Sequence, residues 1–279
     1  LRQDPGFNSV NFYDNSANSN FHSLEVLVTR PFRAGYSMQL AYTFSKSIED
    51  TSDSLTSFAN DDVTVQDPRD LRDNRGVSGF DVPHRIVLTH VWELPWGKNA
   101  DNPIVRRLAS GWGFSGISQW RSGFPVAFES GPRLNIANPS VITTGGFIRP
   151  NASRAFSFNP LPAGSAGAPQ GLNDDSMATR RISAYAASLG LTQPLLGHSG
   201  TLGRNTHRLN GFVNFDWNVY RTIPVTEQVA MKLRCEIYNV FNHHSFRNVT
   251  RNIASPGFGQ YTTLGQSQRI LQLAVIVEF

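Results

Sequence analysis

The stretch that decides the fold is the last one, Arg269-Ile-Leu-Gln-Leu-Ala-Val-Ile-Val-Glu-Phe279. Leu271, Leu273, Val275, Val277 and Phe279 fall on one side of a period-2 ribbon, and Gln272, Ala274, Ile276 and Glu278 fall on the other. Chain ends of water-soluble domains are usually polar and frayed. A strand whose apolar side runs to a terminal aromatic suits a different solvent, in which alternate residues meet hydrocarbon and the ends meet an interface that favours aromatic rings.

Working outward, the same alternation recurs. Tyr36, Met38, Leu40, Tyr42 and Phe44 oppose Ser37, Gln39, Ala41, Thr43 and Ser45. Val213, Phe215, Trp217 and Val219 oppose Asn210, Asn214, Asp216 and Asn218, and Met231, Leu233, Cys235 and Ile237 oppose Lys232, Arg234 and Glu236. A charge on the lipid side at mid-depth costs roughly 2–4 kcal/mol, and none occupies these apolar positions. Expected strands are Phe21–Arg30, Tyr36–Ser47, Arg85–Leu94, Trp112–Arg121 (with an extension to Phe128 left open), Leu209–Arg221, Gln228–Phe241 and Arg269–Phe279. Strands of this length are near the 9–11 residues that cross a tilted bilayer. Short turns at Pro31–Gly35, after Pro95 and at Thr222–Glu227 alternate with long segments at 48–83, 129–208 and 242–267. Short periplasmic turns and long extracellular loops are the asymmetry of an outer-membrane barrel. The fold expected is therefore all-β: an antiparallel transmembrane β-barrel fragment of about seven to eight strands with long extracellular loops.

Composition agrees. Of 279 residues 16% are charged and 11% aromatic, against about 25% charged in soluble domains. Mean hydropathy is −0.29, and no run of about 18 apolar residues makes a transmembrane helix. The net charge of +4 comes from scattered arginines, without the basic stripe that nucleic-acid binding needs. Trp112 and Trp120, like Tyr36 and Phe44, share a face eight residues apart, the spacing of two aromatic girdles. His90 is the discordant residue: the phase of Ile86, Leu88, Trp92 and Leu94 turns it to lipid, so either the register differs or it sits neutral near an interface.

Several stretches resemble the C-terminal barrel of TonB-dependent outer-membrane receptors of the Oar-like type. They are Asn18-Ser-Asn20-Phe-His-Ser-Leu24, Phe80-Asp-Val-Pro-His84-Arg85 leading to Trp92-Glu-Leu-Pro-Trp96-Gly97, Gly203-Arg-Asn205 with Asn214-Phe-Asp216, and Tyr238-Asn-Val-Phe-Asn242-His with Ser255-Pro-Gly-Phe258-Gly. The resemblance implies that residues 1–279 are the C-terminal part of a roughly 22-stranded receptor barrel in the outer membrane of a Gram-negative bacterium. It implies transport of an unknown substrate, outer-membrane lipid as surroundings and TonB–ExbB–ExbD as the energy source acting through a plug. Phe279 is similar to the aromatic by which the barrel-assembly machinery recognises a terminal strand. The family's signal peptide, TonB box and plug do not occur in this sequence. Seven strands leave two edges, at Phe21–Arg30 and at Arg269–Phe279, so a segment preceding Leu1 is expected to close the sheet. Asp216, Lys232, Arg234 and Glu236 are expected to line the lumen.

No catalytic, cofactor or metal set is read, and no enzymatic role is expected. HExxH, CxxC, GxSxG and P-loop patterns do not occur. Asp61, Asp62, Asp67, Asp70 and Asp73 could hold Ca²⁺, but the interleaved Arg69, Arg72 and Arg75 make a self-neutralised loop the better reading. Asp81 with His84 suggests a rim dyad only by type. His243-His244 reads as a loop base, the lone Cys235 as a small apolar residue, and the sequons at Asn151 and Asn248 as formal matches only. The rival architecture is a secreted β-sandwich adhesin or carbohydrate-binding module, which would pack the same apolar faces against a second sheet.

Overall fold

A computed structural model describes residues 15–50, 70–97, 99–130, 148–162, 165, 169–172, 181–194 and 198–279. Among them, long strands β1 (Ser19–Arg33), β2 (Tyr36–Glu49), β3 (His84–Glu93), β4 (Trp112–Arg121), β5 (Phe212–Pro224), β6 (Ala230–Tyr238) and β7 (Ile270–Glu278) form one sheet. Each pairs antiparallel with its neighbour in the chain, so the spatial order is the sequence order. The short pair Gly76–Val77 extends the sheet beside the end of β2. Up-and-down order with short connections is the simplest topology for strands that each need a neighbour for their amides.

The connections alternate as expected. At one end β1 turns into β2 through Ala34 and Gly35, both at positive φ (54° and 81°). A two-residue hairpin of this kind needs left-handed backbone at both central positions to match the strand twist. At the same end lie the β5–β6 turn and the β3–β4 connection, which carries helix α1 (Pro103–Ala109) capped by Asn102. Asn102 Oδ1 accepts the N–H groups of Ile104 and Val105 at 2.9 and 3.4 Å. All three long segments emerge at the other end.

Register separates two faces. One cross-strand row runs Arg30, Met38, His90, Gly116, Trp217, Ile237, Leu271, and another runs Tyr36, Trp92, Phe114, Val219, Cys235, Leu273. The opposite face carries Thr29, Gln39, Thr89, Ile117, Asp216 in one row and Ser37, Val91, Ser115, Asn218, Glu236, Gln272 in the next. Among the described residues no second sheet covers the apolar face: Leu271, Leu273, Val275 and Val277 are 60%, 73%, 64% and 55% exposed. That rules out the sandwich, which needs this face dry against a partner sheet. A stripe of this extent left open to solvent would be an aggregation site in water; in hydrocarbon it is at home. Among the described residues no further strand pairs with the outer edges of β1 and β7.

Several details differ from the sequence reading: β1 starts at Ser19 and runs through Pro31 to Arg33, and β5 starts at Phe212 rather than Leu209. β5 continues past Arg221 to Pro224, so Arg221 falls on the apolar face, in register with Trp112 and Leu233. It lies at the short-turn end, where its guanidinium stacks 5.5 Å over Trp112 and donates to the carbonyls of Ser110 (3.3 Å) and Arg107. An arginine there reaches out of the apolar layer along its own stem. β6 stops at Tyr238 rather than running to Phe241, because Asn239 adopts φ 51° and turns the chain. His90 lies in the apolar-face register, its ring 5.0 Å from that of Phe114.

The larger difference lies in the long segments. They are not bare loops: their described parts build a layer with the only buried hydrophobic cluster seen among the described residues. Val126, Phe128, Leu191, Ile253 and Phe258 are its deepest members. Helix α2 (Ala184–Ser188), started by Ser183 Oγ accepting from Ala186 N–H at 3.0 Å, contributes Ala186. Phe128 meets Phe158 edge-on at 4.8 Å and Phe258 at 5.4 Å. Backbone bonds tie the segments together, as in Ile253 N–H to Glu129 O at 2.9 Å and Tyr261 N–H to Leu161 O at 3.1 Å. Truncating so central a ring typically costs about 3–5 kcal/mol. Phe128→Ala is expected to strip hydrogen-exchange protection from the Ile253 and Tyr261 amides while leaving that of β5 and β6 intact.

Candidate functional site

The polar face borders an open cavity of about 560 Å³ lined by Gln39, Thr89, Ser115, Asp216, Arg234 and Glu236 among others. Its groups are held by their neighbours. Asp216 accepts from Asn214 Nδ2 at 2.8 Å and from the Asn239 backbone N–H at 2.8 Å. Arg234 pairs with Glu236, which also accepts from the Tyr238 hydroxyl at 3.0 Å. Asn218 Nδ2 donates to Ser115 Oγ at 3.2 Å across the strand pair. Of the four residues expected on this side, Asp216, Arg234 and Glu236 line the cavity. Lys232 shares the face but stands nearer the short-turn end, its Nζ 4.8 Å over the Tyr220 ring. Phe279 is fully exposed at that same end. The face is not wholly polar, because Val87, Val91 and Ile117 also fall on it by register.

At the loop end of the sheet, buried and half-buried arginine–carboxylate pairs hold the loop layer to itself and to the strand ends. Arg204 and Glu49 meet at 2.9 Å with side chains only 1% and 6% exposed. Arg149 donates to Asp73 Oδ2, Asn74 Oδ1 and Leu202 O, each at 2.8 Å. Arg208 pairs with Asp81, and Arg251 pairs with Glu129. Asn205, at φ 53°, donates from Nδ2 to Val77 O at 2.7 Å. Asn239 donates from Nδ2 to the carbonyls of His243 (3.0 Å) and Ser267 (2.9 Å) and closes the base of the last loop. The stretches quoted for the resemblance carry Arg204, Asn205, Asp81 and Asn239, but not Glu49, Arg149, Arg208, Arg251 or Glu129, whose partners lie far away in the chain.

The other candidates separate. The Asp81 carboxylate is taken by Arg208 and by Ser47 N–H, whereas His84 Nδ1 meets the Tyr42 hydroxyl at 2.9 Å and packs by Phe44 on the apolar side. Asp61, Asp62 and Asp67 lie outside the described residues; Asp73 serves Arg149 and Asp50 pairs with Arg75 at 3.2 Å. Among the described residues no three His, Cys, Asp or Glu side chains cluster as a metal site would require. His243 and His244 are exposed, and Cys235 sits on the apolar face between Val219 and Leu273.

With this geometry in hand, comparison with known proteins defines the class. The family model described as outer membrane beta barrel domain matches residues 1–272. The chain belongs to that family, and its place is the outer membrane of Gram-negative bacteria, with the apolar stripe against lipid. No curated protein matches the chain.

Two outcomes follow for the loop layer. Arg204→Ala removes the buried guanidinium 2.9 Å from Glu49 and is expected to destabilise the layer by about 3–5 kcal/mol, read as protease cleavage within the loops of an otherwise folded barrel. His207 stacks on Phe156 at 4.2 Å, with Nε2 3.2 Å from Phe156 O and Nδ1 2.9 Å from the Thr206 hydroxyl. Burial holds it below the ordinary histidine value, outweighing the opposing effect of the Phe156 carbonyl. The folded state therefore keeps it neutral while the unfolded chain takes up a proton below about pH 6.5. The stability that neutral His207 contributes is present above that value and is lost as pH falls below it. His207→Gln is expected to flatten this acid limb in the pH profile of loop proteolysis.

Proposed function

We propose that this chain is the C-terminal wall of a larger, TonB-dependent transporter barrel of the Oar-like type, about 22 strands around, moving a substrate across the outer membrane. The observation that carries the reading is the open sheet. Among the described residues no strand pairs with the outer edges of β1 and β7, and a strand edge left in hydrocarbon strands its amides at several kcal/mol each. Further strands must close it, and the ordered resemblance to receptor barrels says of which kind. In this reading the polar face is the lumen wall, with Asp216, Lys232, Arg234 and Glu236 toward water, and the loop layer stands on the extracellular side. Energy comes from TonB–ExbB–ExbD through a plug carried elsewhere in the protein. Phe279 engages the assembly machinery. In this reading the chain has no catalytic part: Asp81 holds the loop base through Arg208, and His84 packs with Tyr42 and Phe44 on the apolar side.

Cysteine labelling tests the orientation. In intact outer membranes of a Cys235→Ser background, Gln39→Cys and Asn218→Cys should react with a water-soluble, membrane-impermeant maleimide. Leu40→Cys and Val219→Cys should react only with a lipid-soluble one. The reverse pattern would sink the lumen assignment. The gene tests the transporter reading: its frame upstream of Leu1 should encode further strands, a plug and a TonB box, whereas a secretory signal abutting Leu1 would exclude it.

A further inference from the structure

We propose that the loop-side end of the polar face binds an anionic ligand carrying a flat ring, through a carboxylate- or phosphate-type group held by Arg85 and Arg121. The proposal rests on that face being the lumen wall. Arg85 on β3 and Arg121 on β4 are direct cross-strand partners, in the row Glu25, Thr43, Arg85, Arg121, Phe212. Opposed residues of an antiparallel pair have Cα atoms roughly 5 Å apart, and like charges so placed destabilise the sheet. Arg247, from the last loop, adds its repulsion to that of Arg85 on Arg121. A natural barrel keeps such a juxtaposition at little cost where a ligand's negative charge resolves it.

The surroundings point the same way. Arg85 and Arg121 make no ion pair among the described residues. Asp81, the nearby buried carboxylate, is taken by Arg208. Glu25 lines the same cavity from the edge strand, but it lies beyond Thr43 and forms no ion pair with Arg85. The Arg121 guanidinium lies 4.1 Å over the Phe124 ring and 5.1 Å over that of Phe212. Stacking uses the guanidinium's faces, fixes its position and leaves its in-plane N–H donors for an oxyanion. The cavity in front of Arg85 and Arg121 measures about 500 Å³, and an adjoining one of about 250 Å³ shares Arg121, Phe124 and Phe212 and adds Arg247. The larger is in the range of small-molecule sites. Phe80, Phe124 and Phe212 give it apolar walls for a ring, and the arginines give it charge.

The whole outer-membrane protein, purified in detergent, is titrated with phenyl phosphate, inorganic phosphate and phenol, followed by calorimetry and by tryptophan fluorescence, since Trp120 borders the cavity. Phenyl phosphate is expected to bind saturably, inorganic phosphate roughly tenfold more weakly for want of ring contact, and phenol not at all. Arg85→Gln and Arg121→Gln should each weaken phenyl phosphate roughly tenfold or more, with Arg121→Lys intermediate and the heat-modifiable gel mobility of a folded barrel unchanged. Absence of saturable binding, or binding indifferent to both glutamine variants, overturns the site. If that happens while Gln39→Cys and Asn218→Cys still label from water, the lumen reading survives and only the anion site falls.

Discussion

A backbone amide in hydrocarbon has one kind of partner available, another backbone amide, and the rest of this molecule follows from that. It forces long strands, each beside its chain neighbour, and it forces alternate side chains to opposite faces. The register rows then sort themselves: Met38, Trp217 and Leu271 to one side, Gln39, Asp216 and Gln272 to the other. A slip of one residue would turn Lys232, Arg234 and Glu236 to lipid, at roughly 2–4 kcal/mol for each basic residue at mid-depth. Register is therefore held by solvent as firmly as by the ladder itself. The same constraint makes the edges of β1 and β7 the most informative places in the fold, because they cannot remain unpaired in a bilayer.

Beyond the membrane the physics changes. The long segments meet water and can bury a core, which they do around Phe128 and Phe258. This layer is joined to the strands by charged groups rather than by apolar packing alone. Arg204 and Arg208 reach Glu49 at the end of β2 and Asp81 just before β3, and Arg149 reaches Asp73 in the connection between those strands. A pair as buried as Arg204–Glu49 contributes less to net stability than its distance suggests, since both ions are desolvated. What they supply is position: each arginine finds one carboxylate and its neighbouring carbonyls, so the loops have one seat. A seated loop layer also brings Arg247 beside Arg121, which a mobile loop would not do.

The strands were legible to within three residues at each end. Trp112–Arg121 agrees at both ends, and β2, β3 and β7 agree within two residues. Misses occurred where a local device overrode the period: the left-handed Asn239 that ends β6 early, and Arg221, acceptable on the apolar side because Trp112 and the α1 carbonyls receive it. The face of Asp216, Arg234 and Glu236 was readable for the same reason as the strands. The Arg85–Arg121 juxtaposition was not, although both residues were in expected strands, because it depends on the register between two strands rather than on the pattern within either.

The amino-acid sequence by itself determined the alternation, the hairpin order and which end carries the long connections, since each is a local pattern against a solvent of known polarity. Only the tertiary structure decided what the long segments do. Their core residues follow no period, and their ion pairs join positions as far apart as Glu49 and Arg204. Partners separated by so much chain leave no mark on local spacing; they are chosen when the strand ends, fixed by the ladder, hold the loops together long enough for one packing to win.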